Sequence, residues 1–397
     1  MQLIITLFIF LFLIIIFSIA AIKLNNPFWH LMPVYHKYDF WRYFYKKKFI
    51  FGELYKNKFY DYLQVSTNEI NSLDDNSKRQ IIMMLQSHFL GNDKFLYKFD
   101  DKIFDATYNG IMTNSLCSIY KKQKFTFENN EIKLSNDYNI EGVILAKKIN
   151  IVLNGEYINS YLLDKICTHR EDSNTLIKRK LLFTHIYNSL QSKSIDNFII
   201  KKKINLFKNV IPVVYSKTYT YNIGYYSKPN MKLFEIKKIE SNIDPIISLI
   251  STLTNNKYYD ILFYTDIGNI KLMLSEKILE IYTLNYKGHI LAYYIFKSSH
   301  ILDENNEKEY LSCISSINNC PTESIFFNGF LYVLSDIFKK HPQKSIIQME
   351  NFSQNNILIS YLNQIYNSIS ITDTAFYSIN LFVPNSPINS NNCFTLI

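Results

Sequence analysis

Glycine is scarce in this chain, with nine residues in 397, and no two of them lie within six positions of each other. That spacing excludes the G-x-G-x-x-G dinucleotide fingerprint, the P-loop and the G-x-S-x-G nucleophile elbow. Neither H-E-x-x-H nor C-x-x-C occurs, so the common zinc signatures are missing and no metal site is expected. The five cysteines (Cys117, Cys167, Cys313, Cys320, Cys393) are odd in number and widely scattered. They read as buried thiols of a reducing compartment, not as a disulfide framework. Acidic residues are outnumbered 34 to 43 by Lys and Arg, for a formal charge of +9. What the chain does have is apolar material, 48% hydrophobic and 16% aromatic, which excludes intrinsic disorder as the main state. The length suits two ordinary domains and a tail.

The apolar material is concentrated first at the N-terminus, where Met1–Ile22 is an unbroken uncharged run. As a helix it spans about 33 Å, a match to a hydrocarbon core of roughly 30 Å. A cleaved signal peptide is the rival reading, with Ser18-Ile19-Ala20 as a cleavage site. No basic segment precedes the run, and it exceeds the usual length of a signal core, so a membrane anchor is expected. Directly after it, Lys23, Lys37, Arg42, Lys46, Lys47 and Lys48 are opposed by Asp39. Positive-inside bias then places the body on the cytosolic side of a single-pass anchor. Because the charge excess is mostly juxtamembrane, nucleic acid is not an expected partner.

Beyond residue 48 the punctuation is Asn instead of Gly and Pro, as in AT-rich coding. Helical spacing predicts Ser72–Leu90, Asp100–Met112, Thr175–Gln191, Asn242–Asn255, Ser324–Lys340 and Asn356–Tyr366. Strands are expected at Ser115–Lys121, Glu141–Ile149, Glu156–Thr168, Ile204–Tyr219, Ile261–Phe263, Ile270–Ser275, Lys344–Met349 and Tyr377–Val383, and Ile278–Leu284 with Gly288–Phe296 reads as a pair. The fold class is α+β, in two halves of mostly antiparallel strands, each with a main helix after a central strand.

Several short segments, in order along the chain, resemble the N-myristoyltransferase family. Phe28-Trp29 followed by Met32-Pro33-Val34 is similar to the family's Phe-Trp and Gln-Pro-Val opening, with Met32 in place of the Gln. Phe89–Phe99 resembles its acidic turn and aromatic run, and Glu141–Ile144 its strand with a lone glycine. Ile166-Cys167-Thr168-His169-Arg170 looks like Leu-Cys-Val-His-Lys. Met349-Glu350-Asn351, Tyr377–Phe382, Pro387-Ile388 and the terminus Phe394–Ile397 follow the family's closing segments.

The resemblance implies two tandem acetyltransferase-like (GNAT) halves in a pseudo-two-fold arrangement, after one N-terminal transmembrane helix. The divisions are 1–22 for the anchor, 23–48 for the basic and aromatic juxtamembrane segment, 49–220 for the acyl-CoA half and 221–397 for the peptide half. It also implies transfer of a long-chain acyl group from myristoyl-CoA, or another acyl-CoA, to the N-terminal glycine of a peptide or protein, with no tightly bound cofactor. By this likeness the backbone amides of Lys165 and Ile166 form the oxyanion hole, where the bland reading is a splayed strand end. The C-terminal carboxylate of Ile397 is the base, where the bland reading is an apolar tail packed on a sheet. Phe28, Trp29, His169, Arg170, Ser173, Lys178, Arg179 and Lys180 are the acyl-CoA contacts. Glu171 and Asp172 put negative charge in the expected phosphate loop, and Lys178–Lys180 also fit a solvated helix face. The alternative is therefore a catalytically silent relative with a structural or interaction role on a membrane, a virion membrane included.

Overall fold

The computed structural model describes residues 2–397 except 40–41, 43, 45–48, 51–53, 91–94, 129–130, 170–174, 193–194, 224–227, 241, 304 and 306–307, and describes only the backbone at 2–3, 124–128 and 131–137. Helix α1 (Gln2–Asn25) is followed by the short α2 (Pro27–Leu31). Large apolar side chains from Ile4 to Phe17 are all exposed, so this part of α1 packs nothing against the body, while Lys23 near its end stands 5.5 Å from the Tyr38 ring centre. Among the described residues it is the helix long and apolar enough to cross a bilayer, a test that a signal sequence also passes.

The first half of the body runs β1 (Val65–Glu69), α3 (Asp75–His88), β2 (Leu96–Tyr97), α4 (Asp101–Tyr108), β3 (Leu116–Glu128), β4 (Glu131–Leu153), β5 (Glu156–Thr168), α5 (Thr175–Gln191) and β6 (Phe198–Lys203). The second runs β7 (Val214–Asn222), β8 (Glu235–Ile239), α6 (Asp244–Asn255), β9 (Ile261–Tyr264), α7 (Ile267–Ser275), β10 (Leu279–Tyr286), β11 (His289–Leu302) and β12 (Glu309–Asn318). It closes with α8 (Glu323–Lys340), β13 (Ile346–Glu350), α9 (Asn355–Ile365), β14 (Ser370–Ile379), β15 (Ile388–Asn389) and β16 (Cys393–Leu396).

One mixed sheet passes through both halves in the order β1-β3-β4-β5-β6-β14-β7-β13-β12-β11-β10-β8. The late strand β14 inserts between β6 and β7, antiparallel to both, and so joins the halves. Helix α5 covers one face of β4–β6 through Leu181, Leu182, Phe183 and Ile186. The cluster of α8 and α9 covers β10–β13 through Phe326, Phe330, Leu334, Leu358 and Leu362. Four of the cysteines are buried, and all five are free thiols.

Beyond strands that were not expected at all (β1, β2, β6, β8, β15 and β16), four differences have a local reason. Ile270–Ser275 is not a strand but lies in α7, because Ile270, Met273 and Leu274 recur at helical spacing and bury together. Of the strand expected over Ile204–Tyr219 only Val214–Tyr219 is extended, as the start of β7, since Ile204, Asn205 and Asn209 take positive φ (57°, 48° and 64°) and break the extended chain before it. Strand β6, which ends at Lys203, lies wholly upstream of the expected range. Asn380 at φ 63° likewise ends β14 at Ile379, so the strand expected at Tyr377–Val383 lies mostly before it. The serine-rich β12 went unseen because Ser312, Ser315 and Ser316 mask an otherwise apolar run.

The halves meet where the loop after α4 touches the start of α7. Gly110 has φ +72°, and a Cβ on Gly268 lies 2.5 Å from the Gly110 carbonyl oxygen. Backbone stands on both sides of that contact, so Gly268→Ala is expected to destabilise by about 1–3 kcal/mol through overpacking. The readout is a lower urea midpoint at unchanged slope, and an unchanged midpoint would refute the close approach.

Candidate functional site

The central feature is the parting of β5 from β6. Strand β5 pairs antiparallel with β4 along its length, but the register shifts between Leu145 and Ala146: Ala146 faces Leu163 while Leu145 faces Lys165. Asp164 is the extra residue, and a β-bulge there bends β5 and increases its twist. On its other side β5 runs parallel to β6 through Tyr161↔Phe198, Leu162↔Ile199 and Leu163↔Ile200, and no further. Strand β6 continues to Lys203 along β14. Beyond Leu163 and Ile200 the two strands therefore diverge as a wedge.

The wedge has polar backbone on its β5 side. The His169 amide donates to the Glu141 carbonyl at 3.0 Å. Alternation along an antiparallel ladder then turns the amides of Cys167 and Lys165 toward β4, and those of Ile166 and Thr168 toward the open side. Of the two amides expected to form an oxyanion hole, the Ile166 N–H faces the wedge and the Lys165 N–H faces the ladder.

On the α5 face of the wedge, aromatic and basic groups gather. Phe28 is buried, with its ring 5.1 Å from Trp29 and 5.1 Å from Phe59. Trp29 reaches Phe207 at 4.1 Å, and the Arg179 guanidinium stands 6.0 Å from the Phe28 ring centre. Ile166 packs against the same cluster. Burial, and then the nearby Lys178, hold the Lys202 ammonium below its ordinary pKa. Among the described residues none of Lys178, Arg179 and Lys202 has a carboxylate within 4 Å, so three cations stand unpaired beside the wedge. Lys180 is different: it is bound to Asp61 at 3.0 Å. The His169 ring lies against His88 at a tilt of 40° with centres 4.1 Å apart, at the edge of a cavity of about 440 Å³ between α3 and β4. Arg170 and Ser173, with Glu171 and Asp172, lie outside the described residues, as do Gly91–Lys94 of the aromatic-run match. A larger cavity of about 910 Å³, lined by Lys56, Glu69, Asn114 and Tyr161 among others, includes none of the expected site residues.

The opposite face holds the chain terminus and a group of interior charges. Strand β16 lies parallel to β9, the Thr395 amide donates to Ser315 Oγ at 3.1 Å, and the Thr265 amide donates to the Leu396 carbonyl at 3.3 Å. Ile397 is 7% exposed and packs in one cluster with Leu162, Ile199, Phe263 and Phe376. Leu162 and Ile199 form the last but one paired rung below the wedge.

Around this rung, Asp164 accepts from the Tyr108 hydroxyl at 2.8 Å and forms an ion pair with Lys165 Nζ at 3.5 Å. Burial alone would raise its pKa; Lys165, Lys297 and Lys147 more than offset that and hold it well below the carboxylate range. Glu350 accepts from Lys201 at 2.5 Å and from Lys203 at 3.2 Å. Burial raises the Glu350 pKa, and the two lysines bring it down to about 2. Burial lowers Lys147 to about 8, and burial with the repulsion of Lys147 lowers Lys297 to about 7.

With that geometry in place, comparison with solved structures is informative. A crystal structure of Saccharomyces cerevisiae N-myristoyltransferase with bound myristoyl-CoA superimposes with TM-score 0.65 at 12% identity, covering 92% of this chain and 94% of that one. The chain has the N-myristoyltransferase fold. A second structure of the yeast enzyme with myristoyl-CoA gives TM-score 0.66 at 11% identity, over 93% and 91% of the two chains. A third, with myristoyl-CoA and inhibitors, gives 0.64 at 12%, over 93% of each. In sequence the chain matches no family model and no curated protein.

Within the N-myristoyltransferase fold, the expected residues Phe28, Trp29, Ile166 and Arg179 come together on one face of the wedge, and Ile397 lies at its base on the other. Lys147, Asp164, Lys201, Lys202, Lys297 and Asn269 went unremarked in the sequence. A signal for some of them was there: Lys147-Lys148 interrupts the apolar run Val143–Val152, and Lys201–Lys203 ends an apolar strand.

The Glu350 pair has a pH signature. A folded pKa of about 2 against an ordinary 4.5 stabilises fully above pH 4.5, and that contribution is lost as pH falls from 4.5 toward 2. It amounts to about 3 kcal/mol. Glu350→Gln should lower the denaturation midpoint at pH 7 and flatten its fall between those pH values; parallel native and variant curves would exclude the assignment.

Proposed function

We propose that this protein is a membrane-anchored acyltransferase of the N-myristoyltransferase type, moving a long-chain acyl group from acyl-CoA to the amine of an N-terminal glycine. The reading rests on one observation above all: β5 parts from β6 just past a bulge, presenting the Ile166 amide to an open wedge with Ile397 packed at its base. In this reading the amine nitrogen attacks the thioester carbon, the carbon–sulfur bond breaks and the CoA thiolate departs. The Ile166 N–H stabilises the oxygen that turns negative, and the Ile397 carboxylate takes the amine proton. Lys178, Arg179 and Lys202 take the phosphates, and Phe28 with Trp29 lines the acyl-CoA side. Residues 49–220 form the acyl-CoA half, 221–397 the peptide half, 1–22 the anchor and 23–48 the basic segment at a cytosolic membrane surface.

A second reading is favoured by the backbone and by the loop after β5. The Lys165 amide faces the ladder, which leaves one of the two expected oxyanion donors turned away, and Glu171 with Asp172 bring negative charge to the expected phosphate loop. These features suit a catalytically silent relative with a structural or interaction role.

The test uses the full chain in detergent, with myristoyl-CoA binding by calorimetry followed by transfer to a Gly-initiated peptide. Active enzyme binds and transfers, and removal of Ile397 lowers kcat by about 100-fold or more with binding intact. The double change Lys178→Glu and Lys202→Glu weakens myristoyl-CoA binding by about tenfold or more. Binding without transfer supports a silent relative that keeps the acyl-CoA site, and no binding excludes the acyltransferase reading and leaves the structural or interaction role.

A further inference from the structure

The junction between α1 and the body contains no slack. Helical hydrogen bonding continues across it: the Asn26 amide donates to the Ile22 carbonyl and the His30 amide to the Asn26 carbonyl, both at 3.1 Å. Asn26 itself, at φ −131° and ψ 59°, is the residue that separates α1 from α2. The far side of the junction is tied down. Phe28 is buried in the cluster under α5, and Trp29 lies against Phe207. His30 Nδ1 and the Tyr38 hydroxyl are 3.1 Å apart, and Lys23 Nζ stands 5.5 Å from the centre of the same Tyr38 ring. Phe28 is six residues past Ile22, at most about 9 Å along a helix. The headgroup layer on one side of a bilayer is about 5–7 Å deep. With α1 across a bilayer, the surface around α2 therefore stands at the headgroups, and the body has no tether long enough to leave them.

That surface combines apolar and basic groups. Leu24, Leu31 and, just after β6, Ile204 are large apolar side chains left exposed. The chain after α2 runs beside the loop before β7: His36 forms a bridge with Val210, and the Lys37 amide donates to the Asn209 carbonyl at 3.1 Å. Lys37 and Lys208, on these two adjoining segments, are both exposed. Neither has an ion pair among the described residues, and the carboxylates on the same segments are engaged. Asp39 accepts from the His36 amide at 3.1 Å and pairs with Arg42 at 3.6 Å. Asp373, whose carbonyl accepts from the Ile204 amide, accepts at its side chain from the Tyr215 hydroxyl.

We infer that the surface formed by α2, Lys37 and residues 204–209 rests on an anionic lipid leaflet, with Lys37 and Lys208 against the headgroups. The inference rests on α1 being a membrane anchor and not on the acyltransferase chemistry. Free in solution, a body with two such lysines would bind a bilayer weakly, since stable adsorption takes a larger basic cluster. Here α1 holds them at the surface, so their effective concentration is already high and two charges suffice to set the orientation. The orientation also decides which side of the wedge meets the membrane. Phe28 and Trp29 belong both to α2 and to the α5 face, so the α5 face is the one nearest the lipid.

The test follows hydrogen exchange by mass spectrometry in the full chain, reconstituted into nanodiscs of phosphatidylcholine with or without phosphatidylserine. Contact with the leaflet slows exchange of the peptide 204–209 by about fivefold or more when phosphatidylserine is present, and high salt removes the difference. The pair Lys37→Glu, Lys208→Glu abolishes that slowing. The pair Lys37→Arg, Lys208→Arg keeps it, which separates lost charge from a variant that folds poorly. Equal exchange in the two lipids overturns the inference, as does slowing that survives the Glu pair or that extends equally to the peptide 337–343 at the end of α8. Extraction of the native chain from vesicles by alkaline carbonate is read alongside. A chain that alkali removes overturns the anchor reading and this inference together, whereas a resistant chain with lipid-independent exchange overturns this inference alone. Acyl transfer enters none of these outcomes.

Discussion

The buried side chain of Asn269 ties α7 of the second half to the end of α4 in the first. Its Nδ2 donates to the carbonyls of Ala106, Thr107 and Asn109 at 3.0, 3.1 and 2.7 Å, closing the C-terminal end of α4. Its Oδ1 accepts from Thr265 and from Lys147. The residue is fully buried, so each of these bonds forms in a medium where an unmade one is costly. The close approach of Gly110 and Gly268 follows from the same docking. With α7 fixed on α4, strand β9 is fixed beside β4, and β16 has a strand to lie along.

That chain of constraints explains how the first half and the last four residues come to share a site. Strand β9 bridges β4 and β16, so the C-terminus returns to the same sheet that carries the bulge at Asp164. The sheet is continuous, but its central parallel pair is short. Three rungs hold β5 to β6, and the bulge then turns β5 away while β14 keeps β6 straight. An opening in the middle of a sheet exposes backbone donors without breaking the core. Binding sites are economically built this way, because the donors are rigid and already desolvated.

The two faces of that opening differ in character. The α5 face combines Phe28, Trp29 and Ile166 with exposed Lys178 and half-buried Arg179 and Lys202, which suits an amphiphile with an anionic head. The opposite face buries charge, and buried charge needs partners. Asp164 and Glu350 are ion-paired, whereas among the described residues Lys147 has the Asn269 amide oxygen alone and Lys297 has no ion pair. The contrast is informative because interior lysines without counter-ions persist only where hydration, deprotonation or a ligand relieves them.

Much of the fold was legible in the residues. The apolar run at the N-terminus, the helical spacing of Thr175–Gln191 and the alternation in Glu156–Thr168 are local patterns, and each gave the observed element. The failures were also local: positive φ at Ile204 and Asn380 leaves no mark in hydrophobic periodicity, and serines disguised β12. Composition alone determined that the chain folds, that its thiols are not paired, and that the usual nucleotide and zinc motifs are absent. The short matches around Phe28-Trp29, Cys167 and the C-terminus pointed to the right fold at 11–12% identity, because each lies where backbone geometry, not side-chain identity, is constrained. Only the tertiary structure decided which amide of Lys165 and Ile166 faces the wedge, since that depends on the ladder across β4. Only it decided that Lys180 is spent on Asp61 while Lys202 joins Lys178, and that Lys147 and Lys297, 150 positions apart, lie within electrostatic reach of each other. Pairing across a sheet couples residues by register and not by distance along the chain, and a single sequence carries no record of register.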